Sequence, residues 1–188
     1  MFRTNCELFM SKKRVIVNDQ LLDVILQRLT QEVIENHGTM ENTVLVGLQP
    51  RGVFLADRLV VMLERTLESK VRYGRLDATF YRDDFRRRDS ILTPNSTQIN
   101  FVIEDKDVIL VDDVLATGRM VRAAIDALQA FGRPAKIELL TLIDRSYNRN
   151  LPIQPDYTGK KVNTTENQKV LVEWKEQNNK EDKISLIS

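Results

Sequence analysis

The sequence predicts an α/β domain, a doubly wound, mostly parallel sheet with a small irregular hood over the carboxyl end of its strands. Three observations carry this. Short apolar runs alternate with amphipathic segments at helical spacing along most of the chain. Two runs, 43–48 and 108–111, are almost wholly apolar, the pattern of strands covered on both faces. Each leads through a glycine-bearing loop into a helix, the arrangement in which open sheets bind ligands beyond their strand ends.

At 188 residues the chain is long enough for one domain with a sizeable core. With 28 Lys and Arg against 27 Asp and Glu, overall charge argues for neither nucleic acid nor membrane. Cys6 is the single cysteine, which excludes an intramolecular disulfide and suits a reducing cytoplasm. No apolar run approaches a membrane span, and the N-terminus lacks a signal-peptide core. Residues 1–12 have no periodicity and read as a disordered extension; 13–174 read as one domain, and 175–188 as a polar, frayed tail.

Val15 to Val17 reads as a short strand or arm, and Asn18 as a helix N-cap. Behind it Leu21, Leu22, Ile25, Leu26, Leu29, Val33 and Ile34 form one stripe, closed by His37-Gly38. His37, the only histidine, is expected at a solvated helix end, which excludes a His-based triad. A strand at 43–48 leads through Gln49-Pro50-Arg51-Gly52 into a helix over 53–67. Arg75 to Tyr81 alternates like a strand; residues 82–98 read as a long polar lid, with 99–103 returning as its second strand. After the strand at 108–111, helical spacing resumes over 120–131, with Gly132 as cap. Residues 136–143 form another strand, 146–161 a loop, and 169–174 the last strand.

The chemistry concentrates in Val108-Ile109-Leu110-Val111-Asp112-Asp113-Val114-Leu115-Ala116-Thr117-Gly118-Arg119-Met120. A loop entering a helix presents unpaired N–H groups and the positive end of the helix dipole, which suits a phosphate. Thr117 adds a hydroxyl, and Gly118 lets backbone approach closely. Asp112 and Asp113 repel phosphate but accept hydrogen bonds from neutral hydroxyls, or sit near a metal ion. A ribose 5-phosphate offers both partners. Arg51 and Gly52 make a second candidate anion site, sized for a pyrophosphate. Neither G-x-x-x-x-G-K-[ST] nor G-x-G-x-x-G occurs.

Apolar strand, Asp-Asp, three residues, Thr-Gly resembles the signature of type I phosphoribosyltransferases, which bind 5-phosphoribosyl-1-pyrophosphate (PRPP). The likeness extends over residues 13–174. Leu76 to Asp84, Val121 to Ala124, Gly132-Arg133-Pro134, Ile143-Asp144-Arg145 and Leu151-Pro152-Ile153 look like the pyrimidine operon regulators, a family within that class. This chain departs from it at Pro50, Arg75, Ala116 and Ser146-Tyr147, where threonine, an acidic residue, an aromatic residue and Gly-His are usual.

The resemblance implies uracil phosphoribosyltransferase activity, uracil and PRPP giving UMP and pyrophosphate. It also implies UMP-dependent binding of pyrimidine operon leader RNA, and a homo-oligomer of two or more chains. Mg2+ is expected to arrive with PRPP, with no direct protein ligand. The PRPP site comprises Pro50, Arg51, Gly52 and residues Val108 to Met120. Asp112 and Asp113 hold the ribose hydroxyls, and Arg82 and Arg86 steady the departing pyrophosphate. Ile143, Asp144, Arg145 and Ser146 select the base through backbone groups. RNA contacts are expected among Arg72, Arg75, Arg145 and Arg149. A nucleotide-sensing regulator with little catalysis, and a purine phosphoribosyltransferase, stand as alternatives.

Overall fold

A computed structural model describes residues 13–83, 94–165 and 167–188. The expectations for residues 1–12 and for Arg86 lie outside them. A central sheet is built from β2 (Thr43–Leu48), β3 (Arg72–Leu76), β4 (Asp107–Leu115), β5 (Lys136–Asp144) and β6 (Tyr157–Lys161). Its five strands run in the order β3-β2-β4-β5-β6, with every pairing parallel.

Both faces are covered, which explains the apolar runs. On one face, Leu45, Ile109, Val111, Leu140 and Leu142 pack against α1 (Asp19–His37) and α2 (Gly52–Leu67). On the other, Val44, Val46, Val108, Leu110 and Leu139 meet α3 (Arg119–Leu128) through Val121, Ala124 and Leu128. Asn18 caps α1 as its sequence position implies, its side-chain oxygen accepting from the Leu21 N–H at 3.0 Å.

The hood is an antiparallel sheet of β1 (Lys13–Val17), β7 (Lys169–Glu173) and β8 (Lys183–Ile187), in the order β1-β8-β7. Residues 175–188 are therefore no frayed tail. β8 pairs with both other hood strands, and Ile184 and Ser185 are fully buried. Arg58 of α2 fastens this sheet, donating to Asp182 at 2.7 Å and to Glu176 at 2.8 Å, with Trp174 4.6 Å beneath its guanidinium.

Four other expectations change. The strand expected at 75–81 stops at Leu76, and Thr79–Tyr81 is a 3-10 turn. The Asp77 carboxylate takes the Thr79 N–H at 2.6 Å and the Asn95 N–H, pulling the chain out of extension. Residues 99–103 form no strand, and the hairpin reduces to one bridge between Arg75 and Gln98. Within 146–161, residues 157–161 pair with β5 as an edge strand. His37 is not solvated: its ring contacts Glu138 at 2.6 Å, Tyr157 at 3.0 Å and Thr43 at 2.9 Å.

Candidate active site

β4 does not end at the acidic pair. It continues to Leu115, with Asp112 laddered against Thr141 of β5, so both carboxylates are held by a rigid strand. They are 9% and 6% exposed. Asp112 Oδ1 accepts from the Asp113 N–H at 2.9 Å, whereas Asp113 Oδ2 is buried with no partner among the described residues. Burial pushes both carboxyls above the ordinary range; the Asp113 charge adds to this at Asp112, and nearby Arg51 draws Asp113 back. An orphaned carboxylate oxygen of this kind is an acceptor in want of a donor.

The loop from Ala116 to Gly118 follows directly. Gly118 has φ 85°, a left-handed conformation that costs other residues strain, and α3 starts behind it with no side-chain cap. The Arg119 N–H donates to Thr117 Oγ1 at 3.3 Å. Among the described residues, nothing accepts from the N–H groups of Ala116, Thr117 or Gly118. Three open donors at a helix start form an anion cradle.

The second loop arrives from β2 through a cis Gln49–Pro50 bond. The Arg51 side chain is exposed and makes no hydrogen bond or ion pair among the described residues, while its carbonyl accepts from the Phe54 N–H at 3.2 Å. α2 begins at Gly52, whose Cα abuts the Val111–Asp112 backbone; a Cβ there would collide with the Val111 carbonyl oxygen. The structure thus brings Arg51 and Gly52 against the acidic pair. From the other side, Arg82 reaches Met120 with Nη1 3.9 Å from its sulfur, and Asp83 forms an ion pair with Arg119.

The residues expected around the base are committed to internal contacts. Ile143 is fully buried. The Asp144 carboxylate pairs with Arg149 and accepts from Ser146 Oγ at 3.0 Å. Arg145 donates to Thr164 Oγ1 at 2.9 Å and to the Gln168 carbonyl at 2.7 Å, tying β5 to the segment that leads into the hood. The four arginines expected to meet RNA fall into two groups along the sheet. Arg72 and Arg75 lie on edge strand β3, and Arg145 and Arg149 follow β5, three strands across. Arg75 also pairs with Asp57 at 2.9 Å, and Arg72 donates to the Glu41 carbonyl at 3.0 Å. Sequence reasoning misses Asp77, although Asp followed two residues on by a bonded N–H is the Asx-turn pattern.

Residues 17–177 match the family model for the phosphoribosyl transferase domain. The chain belongs to that family. Within the family its relatives are more specific. It is 46% identical to the bifunctional protein PyrR of Limosilactobacillus fermentum, covering 91% of this chain and 96% of that protein. The PyrR of Bacillus cereus is 40% identical, with 94% and 98% covered. The chain is thus a member of the PyrR group. Solved structures share its fold: hypoxanthine phosphoribosyltransferase of Trypanosoma cruzi (TM-score 0.69, 12% identity, 92% and 95% covered) and of Staphylococcus aureus (0.63, 19%, 84% and 81%).

Proposed function

We propose that the protein transfers the 5-phosphoribosyl group of PRPP to uracil, releasing pyrophosphate and forming UMP, and that the UMP-bound form regulates pyrimidine operon expression through leader RNA. One observation carries the first half: a buried acidic pair with an unpartnered oxygen, set against an open N–H loop, in a chain close to proteins named bifunctional PyrR. The relatives' name is the support for the second half.

Each group has a role in this reading. The N–H groups of Ala116 to Gly118 and the Thr117 hydroxyl bind the 5-phosphate. Asp112 and Asp113 accept from the ribose hydroxyls, and those donors favour the ionised carboxylates. As the bond to C1 breaks, the sugar gains oxocarbenium character, and fixed carboxylates nearby stabilise that charge without reorganising. Arg51 and Arg82 take the growing charge on pyrophosphate, and backbone groups at Ile143 to Ser146 select the base. Mg2+ bound with PRPP would neutralise the pyrophosphate. Such an ion would keep its waters and substrate oxygens as ligands, with Asp112 and Asp113 as the neighbouring oxygen acceptors. A homo-oligomer in the cytoplasm belongs to the same proposal.

Incubation with PRPP, Mg2+ and uracil, followed by chromatography, should yield UMP. UMP that binds and strengthens leader RNA binding with no turnover would instead make the protein a nucleotide sensor.

A further inference from the structure

The sequence reads Arg149 as an RNA contact. The structure gives its guanidinium other work. Nη1 donates to the Ala116 carbonyl at 2.5 Å and lies 3.3 Å from the Leu115 carbonyl; Nε donates to the Ile153 carbonyl at 2.8 Å. Nη2 pairs with Asp144 at the end of β5, which fixes the fork in place. The next two residues extend the contact. The N–H groups of Asn150 and Leu151 both donate to the Thr117 carbonyl, at 3.0 and 3.2 Å.

Three consecutive carbonyls, of Leu115, Ala116 and Thr117, therefore turn towards residues 145–151, that of Leu115 accepting first from the Arg145 N–H at 2.9 Å and the other two from residues 149–151. In a planar trans peptide the N–H points opposite to its carbonyl. The three N–H groups attached to those carbonyls belong to Ala116, Thr117 and Gly118, and they face the other way. These are the same three that lack an acceptor among the described residues. The open cradle is the reverse side of the contact with Arg149. A cation at the carbonyl ends also polarises the peptides in the sense that makes their N–H groups better donors to an anion.

We infer that Arg149 is a positioning residue for the 5-phosphate, acting through the Leu115–Thr117 carbonyls and never touching the ligand. This deepens the proposed function and rests on it. The role demands a selective signature: ligands bearing the phosphate suffer, and those lacking it do not.

The test uses the full chain with Arg149→Met and Arg149→Lys, titrated calorimetrically with UMP and with uridine. For Arg149→Met, UMP affinity should fall about 10- to 100-fold, the scale of one charge-assisted hydrogen bond. Uridine affinity should hold within about twofold, on the same scale. In turnover, KM for PRPP should rise more than kcat falls, and Arg149→Lys should be intermediate because lysine keeps charge but not the planar fork. Equal losses for UMP and uridine, or no loss for either, would overturn the inference. If Arg149→Met does not fold, Arg149→Lys carries the same comparison. An unmodified protein that binds neither UMP nor PRPP would bring down the phosphoribosyl reading itself, a result distinct from a failed comparison between the variants.

Discussion

Gly52 rests its bare Cα on the backbone of Asp112, and a Cβ added there would sit 2.9 Å from the Asp112 Cα. The first residue of α2 and the acidic strand β4 thereby share a wall, which brings the Arg51 loop beside the carboxylates. Gly52→Ala must push α2 and the Val111–Asp112 strand apart. Backbone cannot yield as a flexible side chain does, so a destabilisation of about 1–3 kcal/mol is expected, as for overpacked cores. Turnover should fall by more than that loss of folded protein explains. Melting curves alongside kinetics check this, and an unchanged kcat/KM would contradict it.

Asp113→Asn separates function from stability. Burial holds both acidic carboxyls above their usual range, with mutual charge adding to it at Asp112. A carboxyl that ionises less readily in the folded than in the unfolded chain binds its proton more tightly when folded, so stability falls as pH rises between the two values. The unliganded protein should therefore lose stability from pH 5 to pH 8, on the order of 1 kcal/mol per pH unit for a carboxyl titrating across that window. Asp113→Asn removes one charge of the pair and should flatten that loss. It should also lower turnover about 10- to 100-fold, since a neutral amide accepts more weakly from ribose hydroxyls. Thermal melts at the two pH values read the first effect, and steady-state kinetics the second.

Arg58 tests the hood. It holds Asp182, which is nearly buried, together with Glu176, and stacks over Trp174. Arg58→Met leaves Asp182 without its main cation and should cost about 3–5 kcal/mol, the scale for breaking a buried pair. Denaturant unfolding measures this. A loss below about 1 kcal/mol would place the contact among ordinary surface pairs.

His37 offers the opposite control. Its imidazole joins Glu138, Tyr157 and Thr43, with side-chain exposure of 7% for both His37 and Glu138. His37→Ala leaves the Thr43 hydroxyl without its partner, while Glu138 keeps Tyr157 and Lys136, and should destabilise by about 1–3 kcal/mol with UMP affinity unchanged. Calorimetric melting and UMP titration together check it. A loss of UMP affinity would contradict a purely structural role.

What can be read from the sequence is local. The stripe behind Asn18, the doubly covered strands β2 and β4, and the Thr117-Gly118 loop each announce themselves within a dozen residues. What cannot be read depends on partners far along the chain. β8 spans only Lys183–Ile187, carries Ser185 at its centre, and is recognisable only beside β1 and β7. β6 reads Tyr-Thr-Gly-Lys-Lys, polar because an edge strand is half exposed. His37 is buried by Glu138 and Tyr157, more than a hundred residues away. Asp144 and Arg149 read as separate contacts to base and RNA, yet they pair with each other. The acidic pair reads as the end of its strand, whereas β4 runs on to Leu115, because aspartates are poor strand formers unless a site requires them.

The most direct measurement is pyrophosphate release from PRPP and Mg2+ with uracil, hypoxanthine, guanine, xanthine and orotate offered one at a time. We expect release with uracil alone, reduced in Asp113→Asn. Release with a purine and not with uracil would contradict the proposed function and make the chain a purine phosphoribosyltransferase.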